Sequence, residues 1–225
     1  MRSVAIVIIG CLLLSATNAY SQAVRLDRNN LKPVDVSMAT EKVMGREAVR
    51  VVKDAAVKEF DEPTFVKIKD IDFQDGTIEV KVLSRLLKDA PAFARGFIGV
   101  AFRIDEGNKA YESIYIRPTN GRSEDQVRRN HSIQYYAYPD YKFDRLRKEA
   151  PERYESYADM GLNEWVTMRI EVRGQQAKLF LNDREEPSLI VNDLKHGASA
   201  SGAIGLWVDV GTEGFFSDLK VQKDK

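Results

Sequence analysis

Two histidines and one cysteine in 225 residues leave few side chains able to move protons near neutrality. His131, with an ordinary pKa of about 6.5, closes the polar run Pro118-Thr119-Asn120-Gly121-Arg122-Ser123-Glu124-Asp125-Gln126-Val127-Arg128-Arg129-Asn130-His131. Tyr154-Glu155-Ser156-Tyr157-Ala158-Asp159 adds two carboxyls flanked by aromatic rings. Glycoside hydrolysis uses two carboxyls roughly 5 to 9.5 Å apart, whereas residues four apart along a strand share a face at about 13 Å. Glu155 and Asp159 are therefore poor mutual partners. The acid/base candidates are Glu155 and His131, with Asp209 as another partner for Glu155, and Asp159 is left to packing or a structural calcium. Two histidines without a cysteine cluster give no zinc pattern, so no catalytic metal or cofactor is expected.

These residues must be held by strands. The chain is 44% hydrophobic and 30% charged, with 34 basic and 34 acidic side chains, which suits one globular domain. Gly76–Leu83 alternates apolar and polar side chains after a Gln74-Asp75-Gly76 turn. Gly96–Arg103 and Tyr111–Arg117 flank Asp105-Glu106-Gly107-Asn108, and Glu164–Val172 and Ala177–Leu181 flank Arg173-Gly174-Gln175-Gln176, both hairpin connections. Ala48–Val52, Ser132–Tyr138, Leu189–Val191, Ala203–Asp209 and Gly214–Val221 complete about ten strands in roughly 200 residues. Tyr141–Glu149, stopped by Pro151, is the one short helix expected. The fold class that follows is all-β, a two-sheet antiparallel jelly-roll sandwich with one short helix. Its early strand Ala48–Val52 is expected to meet the late strands, closing an edge.

The N-terminus reads as an export signal: Arg2, an apolar run from Val4 to Leu14, then the small residues Ser15-Ala16-Thr17-Asn18-Ala19. Cleavage after Ala19 gives a signal peptide at 1–19, an extended segment at 20–33 and the domain at 34–225. Cys11 falls within the apolar run, so the mature chain lacks cysteine, as an oxidising compartment permits. The lipobox-like Ile8-Ile9-Gly10-Cys11 is weaker, because Leu12-Leu13-Leu14 continue the run. A secreted or periplasmic monomer with no membrane contact after cleavage is expected. Losing Arg2, the one charge in 1–19, leaves 33 basic against 34 acidic groups. That balance offers no field to recruit nucleic acid and permits an uncharged ligand.

Alternation sorts the side chains of the strands at 97–103, 111–117, 132–138 and 203–209 into two sets. Ile98, Val100, Phe102, Ile114, Ile116, Ile204, Leu206 and Val208 form a core. Arg103, Tyr115, Arg117, Gln134, Tyr136 and Trp207 fall on the other face among Gly99, Ala101 and Gly205. Planar rings beside bidentate donors suit a pyranose, stacking on its apolar side and bonding its hydroxyls. With Asn120 and His131 from the loop above, these side chains make the expected saccharide-binding surface. The plainer alternative is a second packing layer with its arginines reaching water.

Gly99-Val100-Ala101-Phe102-Arg103, Tyr115-Ile116-Arg117-Pro118, Gln134-Tyr135, Gly161-Leu162-Asn163-Glu164-Trp165, Ala177-Lys178-Leu179-Phe180-Leu181-Asn182 and Gly205-Leu206-Trp207 occur in a familiar order. Over roughly residues 34 to 223 the chain resembles secreted bacterial domains of the concanavalin A-like lectin/glucanase superfamily, of the laminin G-like and 3-keto-disaccharide hydrolase type. The resemblance implies a carbohydrate partner on the polar sheet face. A glycoside hydrolase acting on a modified 3-keto disaccharide and a structural or adhesion module are the alternatives it leaves. A retaining glucanase is disfavoured, because Glu79-Val80-Lys81-Val82-Leu83-Ser84 places Lys81 and Ser84 where that branch carries Asp and Glu.

Overall fold

Strand alternation decides the architecture of the described residues, 22–224, in the computed structural model. The export signal and Cys11 lie outside them. The first sheet runs β13 (Leu189–Val191), β12 (Gln176–Leu181), β11 (Trp165–Arg173), β6 (Gly76–Leu86), β15 (Thr212–Lys223), β4 (Arg46–Lys53), β3 (Val36–Val43), with β1 (Gln22–Ala23) added to β15. The second runs β10 (Glu155–Ser156), β9 (Ile133–Tyr138), β8 (Tyr111–Ile116), β7 (Ile98–Ile104), β14 (Ala203–Val208), β5 (Phe65–Ile68), β2 (Leu31–Val34). Every pairing recorded between these strands is antiparallel. The early and late strands do meet: Gly214 of β15 pairs with Val51 of β4.

The core lies between the two inner faces. Ile78, Val80 and Val82 of β6 and Met168, Ile170 and Val172 of β11 join Ile98, Val100, Ile114, Leu206 and Val208 in one buried cluster. Burying each such side chain is worth about 1.5–3 kcal/mol. The sheets touch so closely at Gly214 that a Cβ there would sit 2.6 Å from Val208 Cγ1 and 3.0 Å from Ile98 Cδ1. Those contacts identify the aliphatic set of β7 and β14 as inward-facing. The aromatic and polar set faces out.

Three helical turns decorate this frame: α1 (Pro118–Gly121), α2 (Gln126–Asn130) and α3 (Phe143–Glu149). The expected helix forms as α3, and the stretch expected to be a plain loop contains α1 and α2. Asp125 caps α2, its carboxylate accepting from the Val127 and Arg128 amides. Among the described residues no helix is long and apolar enough to cross a membrane.

The outer face of the second sheet is not open. The β4–β5 connection and α3 fold across it, where the Trp207 indole donates 2.9 Å to Glu62 O and the Phe143 amide donates 2.8 Å to Asp61 Oδ2. Lys142 pairs with Glu62 across the same seam. Phe60 meets Phe93 and Phe143 edge-on, at centroid distances of 5.6 and 6.0 Å.

Candidate functional site

Where that cover leaves the sheet, at the end carrying Phe97, Tyr115 and Arg117, it stops short and a cleft of about 660 Å³ opens. Its volume falls within the range of small-ligand sites. Phe60, Phe93, Phe97 and Phe143 supply apolar walls, and Asp61, Arg117, Asn120 and His131 converge on the space between them.

Arg117, at the end of β8, is the hub. Its Nη1 donates to His131 O at 3.0 Å and Glu155 Oε1 at 3.2 Å, and its Nη2 to the Tyr115 hydroxyl at 2.8 Å and Gln134 Oε1 at 3.1 Å. With its side chain only 5% exposed, these bonds are what make the buried guanidinium tolerable. Arg147 of α3 adds a second grip on Glu155, donating to Oε2 at 3.0 Å from Nε and to Oε1 from Nη2. Burial would raise the Glu155 carboxyl, but the Arg147 hydrogen bonds and the Arg117 and Arg147 charges outweigh it and hold it below the usual range. Glu155 is thus ionised at neutral pH, the opposite state from that of a glycosidic general acid.

His131 Nδ1 lies 2.9 Å from Glu155 Oε1 but without the alignment of a hydrogen bond. Burial pushes its pKa down, Glu155 pulls it back up, and the arginines push it down again, leaving it below its ordinary value. The ring is accordingly neutral at pH 7 and keeps both an acceptor and a donor nitrogen. Asn120 Nδ2 fixes the same turn by donating 3.0 Å to His131 O.

On the facing wall stands Asp61, in left-handed backbone at φ 52°. Its amide donates 3.0 Å to Asp209 Oδ2, and Asp209 Oδ1 meets Lys53 Nζ at 2.5 Å. Burial, then the Asp209 charge, raise the Asp61 carboxyl to about 7, against the lowering pull of the Phe143 amide, Arg117 and Lys142. Asp61 is the group in this cleft poised to exchange a proton at neutral pH.

Tyr115, Arg117, Asn120, Gln134, His131 and Glu155 therefore come together. Tyr136 and Trp207 lie behind the cleft, under the cover: the Trp207 ring packs 4.8 Å from Tyr115 and 5.5 Å from Tyr136, and both are fully buried. As folded, neither offers a surface to a sugar. Gly99 makes this packing possible, since it pairs across to both Tyr115 and Trp207 and its own Cβ would sit 2.5 Å from Tyr115 Cβ. Arg103 is elsewhere: near the end of β7 and opposite the cleft, it pairs with Asp75 and donates to Gln74 O, Gly174 O and Gly197 O, so its expected place in a saccharide site is corrected to a clamp on three loops. Asp159 is exposed and paired with Arg122. Among the described residues no group of three or more His, Cys, Asp or Glu side chains converges as a metal site.

Sequence reasoning missed Asp61, Arg95, Arg147, Phe60, Phe93 and Phe143, whereas strand parity does put Phe97 on the outer face. The one hint was Glu59-Phe60-Asp61-Glu62-Pro63, a turn-forming stretch holding an aromatic ring between acids.

Residues 29–222 match the family model of the 3-keto-alpha-glucoside-1,2-lyase-like domain. The chain belongs to this family. In fold, the lyase-like domain is similar to the carbohydrate-binding module CBM66 from Bacillus subtilis, at TM-score 0.58 and 14% identity over 86% of this chain and 96% of that one. It is also similar to a protein provisionally described as a glycosyl hydrolase from Parabacteroides distasonis, at TM-score 0.53 and 10% identity over 88% and 90% of the two chains. A galectin-like protein from Bacillus subtilis superposes at TM-score 0.50 with 8% identity over 87% and 90%. No curated protein matches the lyase-like domain by sequence.

Proposed function

We propose that this is an exported saccharide-binding domain whose ligand occupies the cleft between Phe60, Phe93, Phe97 and Phe143. The observation that carries this reading is the convergence of fixed polar groups within aromatic walls. Asn120 and His131 come from the β8–β9 connection, Asp61 from the cover and Arg117 from the sheet. Ring faces receive the C–H side of a pyranose while the polar groups bond its hydroxyls. Family membership and the fold shared with a carbohydrate-binding module support the same ligand class. The test is calorimetric titration of residues 20–225 with a panel of neutral and acidic oligosaccharides. Binding that weakens at least ten-fold in Phe93→Ala and Asn120→Ala is expected, and absence of binding to every glycan overturns the reading.

A second reading is favoured by one observation. A carboxyl held at about 7 faces the cleft, as proton transfer on a bound sugar would need. It makes the domain an enzyme acting on a keto-sugar glycoside, with Asp61 as the acid/base and Glu155 as the anion that orients Arg117, Arg147 and His131. Turnover of a 3-keto-glycoside that disappears in Asp61→Asn while ligand affinity stays within about three-fold supports it. No turnover by the wild-type chain leaves the binding reading alone standing.

A further inference from the structure

The rim of the cleft carries charge that the rest of the site does not balance. Four arginines line it: Arg95, Arg117, Arg128 and Arg147. Glu155 answers two of them, Arg117 and Arg147, and Asp209 is answered by Lys53. Arg95 spends its hydrogen bonds on Ala92 O and Ala94 O of its own loop, and Arg128 makes only long contacts of 3.4 Å to the neutral Asn120 Oδ1. Among the described residues neither forms an ion pair within 4.0 Å. Asp61, raised to about 7, is only partly ionised at neutral pH and does not cancel two guanidiniums. A chain of zero net charge thus concentrates positive charge at one recess, whose apolar walls focus its field.

Each unanswered arginine stands one or two residues from an exposed apolar side chain in the sequence. Phe93, 51% exposed, is two residues before Arg95, and Val127, 66% exposed, directly precedes Arg128; all four line the same cleft. A planar fork beside an apolar contact fits a sugar ring bearing an anionic group. The guanidinium takes the carboxylate or sulfate oxygens in pairs while the hydrocarbon side meets the ring. Burial and the charges of Arg128 and Arg117 also depress the Arg95 pKa, a repulsion that a bound anion relieves.

From this geometry we infer that the ligand of the cleft is an acidic saccharide, its carboxylate or sulfate seated between Arg95 and Arg128. The inference rests on the saccharide reading above and replaces the uncharged ligand that overall neutrality permits.

Matched pairs separate the two. An oligogalacturonate is compared with its full methyl ester, and a sulfated galactose oligosaccharide with its desulfated form, each titrated into residues 20–225 at low and at 0.3 M salt. At least one acidic member is expected to bind ten-fold or more tighter than its neutral partner, with the advantage shrinking at high salt. The advantage should fall below about three-fold in Arg128→Gln and in Arg95→Gln, and Arg128, on the short surface helix α2, can be replaced without touching the core. The preferred pair identifies carboxylate or sulfate as the recognised group. Equal affinity for charged and neutral partners, or an acidic preference that persists in both variants, overturns the inference while leaving saccharide binding intact. Binding of none of the four sugars overturns the acidic-saccharide inference, while the saccharide reading itself falls only if the wider glycan panel is also not bound.

Discussion

Asp61 shows how a buried carboxyl on strained backbone becomes a pH-sensitive part of the fold. Its folded pKa of about 7 stands above an unfolded value of about 3.9. Between those values the native state holds the extra proton, so stability falls as pH rises from about 4 to about 7 and stays lower above it. The difference of about three units is on the order of 4 kcal/mol. Asp61→Asn keeps an oxygen for the Phe143 amide and has no proton to lose. In urea denaturation it should gain on the wild type progressively across this window and be the more stable of the two at pH 8. Parallel curves for the two proteins would show that Asp61 does not titrate there. Glu155 works in the other direction: its depressed carboxyl stabilises the fold above the unfolded carboxylate pKa and loses that effect as pH falls. Comparing Asp61→Asn with wild type isolates the Asp61 contribution because Glu155 is common to both.

At the level of the element, alternation was readable and coverage was not. The period of two in β6, β7, β8, β11 and β14 is plain in the sequence, and it separates an aliphatic inner set from an aromatic and polar outer one. That separation holds in the structure. Which segment then folds over the outer set is decided by contacts between distant residues, such as Glu62 with Trp207 and Asp61 with Phe143. Strand parity cannot reveal them. For the same reason Arg103 and Arg117 share a face by parity yet serve opposite ends of the sheet. Edge strand β3 escaped notice because Ser37, Thr40, Glu41 and Lys42 leave it largely exposed, without a clean apolar stripe. The turns α1 and α2 are too short to show a helical period. The two ends of the sheet make a direct comparison: Arg103, with its side chain fully buried, holds the β5–β6, β11–β12 and β13–β14 connections through three carbonyls. Arg103→Ala leaves those acceptors without their donor and should lower stability by about 3 kcal/mol. In denaturant titration the midpoint should fall, while saccharide affinity measured well below it stays within about two-fold of wild type. A large affinity loss in the folded variant would return Arg103 to the binding site.

The whole molecule depends on how late in the chain its central strand arrives. β15 lies between β6 and β4 and also carries β1, so the first sheet is split in two until Thr212–Lys223 is in place. The preceding strand, β14, belongs to the other sheet, pairing with β7 and β5. The β14–β15 connection therefore brings the two halves of the sandwich face to face, with Gly214 packed on Val208 and Ile98. Contacts of such long sequence separation make a cooperative, all-or-none domain. The cleft shares that dependence, because Asp209 lies in this connection and bonds both Lys53 and the Asp61 amide. Ending the chain at Gly211 removes β15 while keeping Asp209. It leaves the inner faces of β4 and β6 unjoined and strips Phe215, Phe216, Leu219 and Val221 from the buried set. The expected outcome is loss of any sigmoidal thermal transition, with near-ultraviolet circular dichroism bands absent at 20 °C. Removing residues 22–26 instead takes away β1, two exposed residues paired to β15, and the half-buried Val24 and Leu26 that follow it at the margin of the core. That shortened chain should still melt cooperatively, a few degrees below the full domain, as a loss of about 1 kcal/mol implies. Equal behaviour of the two truncations would mean that the first sheet is not organised around its last strand.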